Sequence, residues 1–308
     1  MAAPLPQLDG EIFLSDGGIE TYLIFDRGID LPEFSAFDLL KDEAGTRELR
    51  DYYERYLKLA EEAGLGYVLE SPTWRANPKW GAAIGYSKEE VADANRQAIE
   101  LMRELRDAHS DLQPVVISGC IGPHDDGYAP GELLTADEAA EYHSAQIGTF
   151  AEAGVDQVTA ITMTYADEAI GVARAAKAAG VPVAISFTVE TDGRLPSGQE
   201  LGEAIEEVDA DARTDVAYYM INCAHPTHFE DVIAAGGDWL DRIRGLRANA
   251  STMSHTELDE AEELDDGDPE DLAARYAALR ERMPQLTVLG GCCGTDHRHV
   301  VAIREAVT

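Results

Sequence analysis

The sequence predicts an α/β protein of the (β/α)8 TIM barrel type, and three features carry the prediction. Eight short runs rich in Val and Ile recur along the 308 residues, the number that a closed parallel barrel requires. The intervals between them leave room for a helix, and strand alternating with helix is the rhythm of a parallel sheet. Barrels of this class also reach such a length as one unit, and no linker-like stretch divides residues 1–308, so a single domain is expected. A doubly wound sheet is the other arrangement with this rhythm. Against it, DGGIET after the first run lacks the glycine spacing of a dinucleotide fingerprint, and no phosphate-cradling loop is present.

In chain order, EIFLSDGG places the first strand about Ile12, followed by a helix over 45–63. GYVLESPT gives the second about Val68, with a helix over 88–110, and PVVISGCIGP the third about Val116, with a helix over 135–153. DQVTAITMT about Val158 and a helix over 166–179 form the fourth unit. PVAISFT about Ala184 leads into TVETDGRLPSGQELGEAIEEV, whose Gly and Pro make it begin as a loop before any helix. The sixth and seventh runs are AYYMINCA about Met220, with a helix over 227–235, and DRIRGLRANA about Ile243, with a helix over 268–283. LTVLGGCCGT about Val288 and a helix over 296–306 complete the set. Gly64, Gly154 and Gly180 follow apolar stretches and are expected as left-handed helix C-terminal residues.

Composition narrows the function. With 59 acidic against 24 basic residues, the net charge of −35 repels nucleic acid and anionic membrane surfaces. Lys occurs only at Lys41, Lys58, Lys79, Lys88 and Lys177, and this skew with the acidic excess points to a salt-rich cytoplasm, where surface repulsion is screened. The run over 257–271 reads as a solvated loop or helix start. No basic segment followed by an apolar stretch opens the chain and no membrane-length apolar run occurs, so a cytoplasmic protein is expected. Four cysteines are a poor disulfide framework for this length, and a reducing compartment directs attention to metal or thiol chemistry.

A barrel gathers the C-terminal ends of its strands at one mouth, where chemistry is carried out. Those ends carry Asp16, Gly17 and Gly18; Glu70, Ser71 and Thr73; Cys120; Asn222 and Cys223; Asn249; and Cys292 with Cys293. The sixth and eighth strands lie two apart, so Cys223 is placed to face Cys292 and Cys293. Three thiols meeting there suggest zinc, which accepts a thiolate-rich tetrahedral shell and keeps a position open when the protein supplies three ligands. His225, His297 and His299 lie close enough in sequence to complete the shell; spacing selects none of them, and each reads better as a surface or loop residue. Adjacent cysteines between glycines also fit a purely packed strand end, and Cys120 reads as core.

DGGIET at Asp16–Thr21, SGCIGP at Ser118–Pro123, ISFT at Ile185–Thr188, INC at Ile221–Cys223 and GGCCGT at Gly290–Thr295 together resemble the homocysteine S-methyltransferase family, in order and spacing over essentially the whole chain. The resemblance implies a barrel with a catalytic zinc held by Cys223, Cys292 and Cys293, and transfer of a methyl group to a small thiol. It also implies a small-molecule methyl donor. The length leaves no room beside the barrel for a folate, cobalamin or S-adenosylmethionine domain, so a small onium compound or a separately delivered group is expected. A cationic donor would be drawn to three thiolates and to an aromatic face such as Trp74. Three departures matter. Ile161 stands where many members carry an acid for the substrate amino group, Trp74 where tyrosine is typical, and Arg247 and Ala248 precede Asn249 where the family reads tyrosine-proline-asparagine. Two readings of the acceptor follow. Either Asp16, Glu20 or Glu70 replaces the missing carboxylate, with Gly17, Thr73, Trp74, Asn222 and Asn249 completing the substrate site, and the acceptor remains homocysteine or a relative such as selenohomocysteine; or the pocket takes a different small sulfur compound. A barrel that binds zinc or a thiol without turnover is the non-enzymatic alternative.

Overall fold

The computed structural model describes residues 5–112, 114–261 and 263–308. Eight parallel strands close on themselves in sequence order: β1 (Phe13–Leu14), β2 (Gly66–Glu70), β3 (Val115–Ile121), β4 (Gln157–Met163), β5 (Val183–Phe187), β6 (Val216–Asn222), β7 (Ile243–Ala248) and β8 (Val288–Gly291). Closure comes from β8 pairing with β1, Phe13 opposite Val288. The principal helices are α1 (Glu43–Ala63), α2 (Lys88–Ala108), α3 (Ala136–Ala153), α4 (Ala166–Ala179), α5 (Leu201–Ala210), α6 (Glu230–Ala235), α7 (Pro269–Arg282) and α8 (His297–Val307). None of the described helices is long and apolar enough to cross a membrane.

Local chemistry starts and stops these helices. Asp42 accepts from the Gly45 amide at 2.8 Å to open α1, and reciprocal capping boxes open α2 (Ser87 with Glu90) and α3 (Thr135 with Glu138). Gly64, Gly154 and Gly180 end α1, α3 and α4 at φ of 66°, 74° and 73°, as their sequence positions predict. The predicted helix over 227–235 is broken: a 3-10 turn at Pro226–His228 precedes α6, with Phe229 at φ −131° between them. Two segments have structure the periodicity does not announce, a run of 3-10 and π turns between Tyr22 and Lys41 and a short helix at Pro78–Ala83 that Asn77 caps. Both lack the length over which an amphipathic repeat becomes visible. The run over 257–271 contains the end of a one-turn helix, His255–Asp259, and Asp268 caps α7.

The larger apolar cluster lies between the strands and the helix ring. A smaller one, Leu5, Phe13, Val68, Val116, Ala184, Tyr218, Met220 and Val288, fills the lower interior of the barrel. The N-terminal turn Pro6–Leu8 covers this lower end. Gln7 is fully buried, donates to Gln157 Oε1 at 2.8 Å, and accepts at its carbonyl from Thr287 Oγ1 at 2.8 Å. Above this layer the interior becomes polar and leads to the pocket at the opposite end.

Candidate functional site

The sulfurs of Cys223, Cys292 and Cys293 all lie within 4.8 Å of one another. Cys223 and Cys292 are in disulfide contact with Cα atoms 5.3 Å apart, and Cys293 Sγ is 3.7 Å from Cys223 Sγ. A disulfide and a metal-bound thiolate pair are alternative states of the same two sulfurs, so the contact that the sequence did not foresee is a product of their convergence.

Two backbone features aim the sulfurs. Cys223 follows β6 at φ 53°, a left-handed conformation that costs a non-glycine residue about 1–3 kcal/mol. Its carbonyl accepts from His255 Nε2 at 2.7 Å, Asn249 Nδ2 at 3.1 Å and Thr188 Oγ1 at 3.4 Å, and its amide donates to the Arg247 carbonyl at 3.0 Å, which together hold the conformation. Just past β8, the Cys292 amide donates to the Ala248 carbonyl at 2.8 Å. Gly18 packs directly on this turn: a Cβ there would lie 2.5 Å from the Cys292 carbonyl oxygen, so the close approach needs glycine.

Tyr128, on the loop after β3, reaches over the cluster. Its hydroxyl is 3.3 Å from Cys223 Sγ and 3.5 Å from Cys293 Sγ, and its ring stacks on His255 at 4.0 Å between centroids. His255 Nδ1 meets Glu190 Oε1 at 2.9 Å. Burial pushes the Cys293 thiol up to about 11, with the Tyr128 hydrogen bond acting in the opposite direction.

The other side of the pocket is charged. Arg247, at the end of β7, is buried, and its guanidinium bridges Asp16 at 2.6 Å and Glu70 while donating to the carbonyls of Gly17 and Gly291 at 3.2 and 3.0 Å. Tyr52 donates to Asp16 Oδ2 and to the Gly17 carbonyl, at 3.0 and 2.9 Å. Burial raises both carboxyls, with Arg247 opposing it. Burial pulls the guanidinium pKa down; Asp16 and Glu70 outweigh it and hold it well above its ordinary value. Glu20 lines the same pocket and makes no hydrogen bond or ion pair with another side chain among the described residues; burial raises its carboxyl to about 7.

The family model described as Homocysteine S-methyltransferase matches residues 13–307. The chain belongs to the homocysteine S-methyltransferase family. Membership makes it a methyltransferase acting in thiol methyl transfer. Selenocysteine Se-methyltransferase of Brassica oleracea var. italica is 24% identical over 320 residues, covering 96% of this chain and 89% of that one. Homocysteine S-methyltransferase 2 of Arabidopsis thaliana is 20% identical over 268 residues, 79% of each. The fold matches that of the homocysteine methyltransferase MmuM from Escherichia coli in its metallated form, at TM-score 0.72 and 18% identity over 96% of both chains. The oxidised form of the same protein matches at TM-score 0.73 and 18% identity over 96% of this chain and 95% of that one.

Within this family member the pocket gathers most of the residues marked in sequence: Asp16, Gly17, Glu20, Glu70, Thr73, Trp74 and the three cysteines line it, as does Cys120, which is buried and free. Several of them are already engaged. Asp16 and Glu70 are taken by Arg247, and the Thr73 hydroxyl donates to the Cys120 carbonyl at 2.8 Å. Trp74 carries the Arg75 guanidinium over its ring at 4.4 Å, so a resident cation already uses one aromatic face. Asn222 and Asn249 stand behind the wall. Asn249 holds the Cys223 carbonyl, while Asn222 Oδ1 accepts from the Thr162 amide at 2.9 Å and from Ser186 Oγ at 2.6 Å. His225 and His299 are buried rather than superficial: His225 bonds Thr227 and is pushed down to about 4 by burial, and His299 sits in the capping box of α8. Neither they nor His297, which packs beside Tyr56, enter the sulfur cluster. Ile161 does line the pocket, and Thr162 beside it adopts φ 62° where β4 shifts register. The sequence reading missed Tyr128, His255 and the bridging role of Arg247. An arginine at an inward strand end, opposite two acids on neighbouring strands, was the available signal for the last.

Proposed function

We propose that this chain is a zinc-dependent S-methyltransferase that moves a methyl group from a small onium donor to homocysteine or a closely related thiol. The observation that carries the proposal is the convergence of three cysteine sulfurs at the ends of β6 and β8, beside a carboxylate with no side-chain partner among the described residues. The donor set fits the metal in kind: three soft thiolates suit zinc, and the 3.7 Å between Cys223 and Cys293 sulfurs is close to the edge of about 3.8 Å of a tetrahedron with zinc–sulfur bonds of about 2.3 Å, whereas Cys223 and Cys292 must be reduced and move apart to reach it. Cys223, Cys292 and Cys293 would hold the ion. Bound zinc lets a substrate thiol persist as thiolate at neutral pH, where a free thiol near pKa 8.5 is only a few per cent ionised.

The chain's own residues orient the acceptor. Of the three acids that can stand in for the absent carboxylate at Ile161, Asp16 and Glu70 are committed to Arg247, which leaves Glu20 to take an ammonium group. The walls at Ile19, Trp74 and Ile161 limit water around the reacting sulfur. Methyl transfer needs no proton at the carbon centre, so no general base is assigned.

Metal analysis of reduced protein tests the first half of the proposal: about one zinc per chain is expected, and its absence sinks the zinc reading. Isothermal titration of the zinc-loaded protein with homocysteine tests the second half. A second reading keeps zinc and changes the acceptor to another small sulfur compound, favoured by the apolar wall that Ile161 provides. Zinc-loaded protein that binds no homocysteine but binds another thiol would select it.

A further inference from the structure

A methyl donor brought to a cluster of cysteine thiolates meets a selectivity problem, because the substrate sulfur must be methylated and the protein sulfurs must not. Any of them has the lone pair for the reaction. In the unwanted step a cysteine sulfur forms the new bond to the methyl carbon. The bond from that carbon to the donor's heteroatom breaks with its electron pair staying on the donor, which leaves as a neutral thioether or amine. The thiolate and onium charges cancel and nothing is oxidised or reduced.

Each of the three sulfurs lies within reach of a hydrogen-bond donor. The Tyr128 hydroxyl, with one proton for two sulfurs, lies 3.3 Å from Cys223 and 3.5 Å from Cys293, and Asn222 Nδ2 is 3.9 Å from Cys292. The donors are fixed in orientation. Asn222 accepts at Oδ1 from the Thr162 backbone amide, which cannot act as acceptor there, so its NH2 is turned toward Thr162 Oγ1 and Cys292. Tyr128 is held by the stack on His255 and by its amide bond to Asp126 Oδ1 at 2.9 Å. The residue before it is pressed into the wall: a Cβ on Gly127 would lie 2.8 Å from Thr162 Cγ2 and 3.2 Å from Trp74 Cζ2, so a larger residue would push Tyr128 off the sulfurs.

We infer that Tyr128 and Asn222 are selectivity residues that withdraw charge from the cysteine sulfurs and so make them poorer nucleophiles toward the methyl donor than an incoming substrate thiolate. The inference rests on the zinc chemistry proposed above. A donor hydrogen-bonded to a metal-bound sulfur draws electron density away from the lone pair that would attack.

The test uses reduced, zinc-loaded wild-type protein and Tyr128→Phe, which keeps the ring that stacks on His255. Both are exposed to iodomethane without acceptor, and methylation of each cysteine is followed by peptide mass spectrometry, with zinc content measured in parallel. In Tyr128→Phe, methylation summed over Cys223 and Cys293, which share the one hydroxyl proton, should be roughly tenfold faster than in the wild type, the factor expected for one lost hydrogen bond to a charged group. Cys292, whose donor is Asn222, should change little. Equal rates in the two proteins overturn the inference. So does an equal acceleration at all three cysteines, which would mean a loosened site rather than a lost donor. Wild-type protein without zinc overturns the proposed function, and the inference with it.

Discussion

The two sides of the pocket are built on different principles. On the β6 and β8 side, three sulfurs converge, and that of Cys223 sits on backbone held in a strained conformation by hydrogen bonds to its own carbonyl. On the β1, β2 and β7 side, one buried guanidinium binds two carboxylates and two carbonyls. The sulfur side is poised to take something up, whereas most of the charged side is satisfied within the protein. In the proposed reaction, substrate charge recognition would therefore fall on Glu20, the one of the three acids left uncommitted among the described residues, rather than on the acids that look more prominent in the sequence.

Removing a sulfur should separate the two sides most sharply. Cys223→Ser is expected to weaken zinc retention by more than about a hundredfold, beyond what loss of an outer-shell partner costs, while leaving the denaturation midpoint of the reduced, metal-free protein nearly unchanged; metal analysis and urea unfolding under reducing conditions check both parts. Arg247→Met is the converse. It strands Asp16 and Glu70 as buried, unpaired carboxylates and should cost about 3–5 kcal/mol of stability, read by urea unfolding. Retained stability in that variant would mean the charged side is not structural.

Glu20 gives an intermediate effect. Glu20→Gln should lower the affinity for an ammonium-bearing acceptor by roughly ten- to a hundredfold, the range for a lost charged hydrogen bond. A carboxyl raised from 4.5 to about 7 binds its proton more tightly in the folded state. Its contribution to stability is thus present below about 4.5 and lost as pH rises through about 7. Acceptor binding runs the other way, strengthening through the same window as Glu20 ionises, and the Gln variant should lose that part of the pH dependence in calorimetric titrations. Gly18→Ala should cost about 1–3 kcal/mol by overpacking against Cys292, which thermal unfolding would record. The smallest effect is that of salt. Molar KCl should raise the melting temperature by a few degrees, by the same increment in wild type and Arg247→Met, because screening acts on the exposed acidic surface and not on the buried triad. A melting temperature that does not rise with KCl would remove the case for adaptation to salt.

The sulfur side was legible in the sequence because its signal is local: a rare residue type, flanked by glycines, at the ends of two recognisable strands. The barrel was legible for a similar reason, since eight apolar runs repeat and helix ends carry their own caps. The charged side was not. Arg247 is separated by 231 residues from Asp16 and by 177 from Glu70, so the one signal, an arginine and two acids at strand ends, becomes visible only once the strands are closed into a barrel. The turn at Thr162 was equally silent, because a register shift inside β4 leaves the pattern of apolar residues intact. Tyr128 lies on a loop between β3 and α3, where neither periodicity nor a motif marks direction.

The N-terminal turn that seats Gln7 against Gln157 has a kinetic consequence. With that end of the barrel closed among the described residues, the acceptor and donor of the proposed reaction would share one doorway, and a molecule resting above the sulfurs would stand in the path of the next. Turnover through such a site would be a matter of queueing.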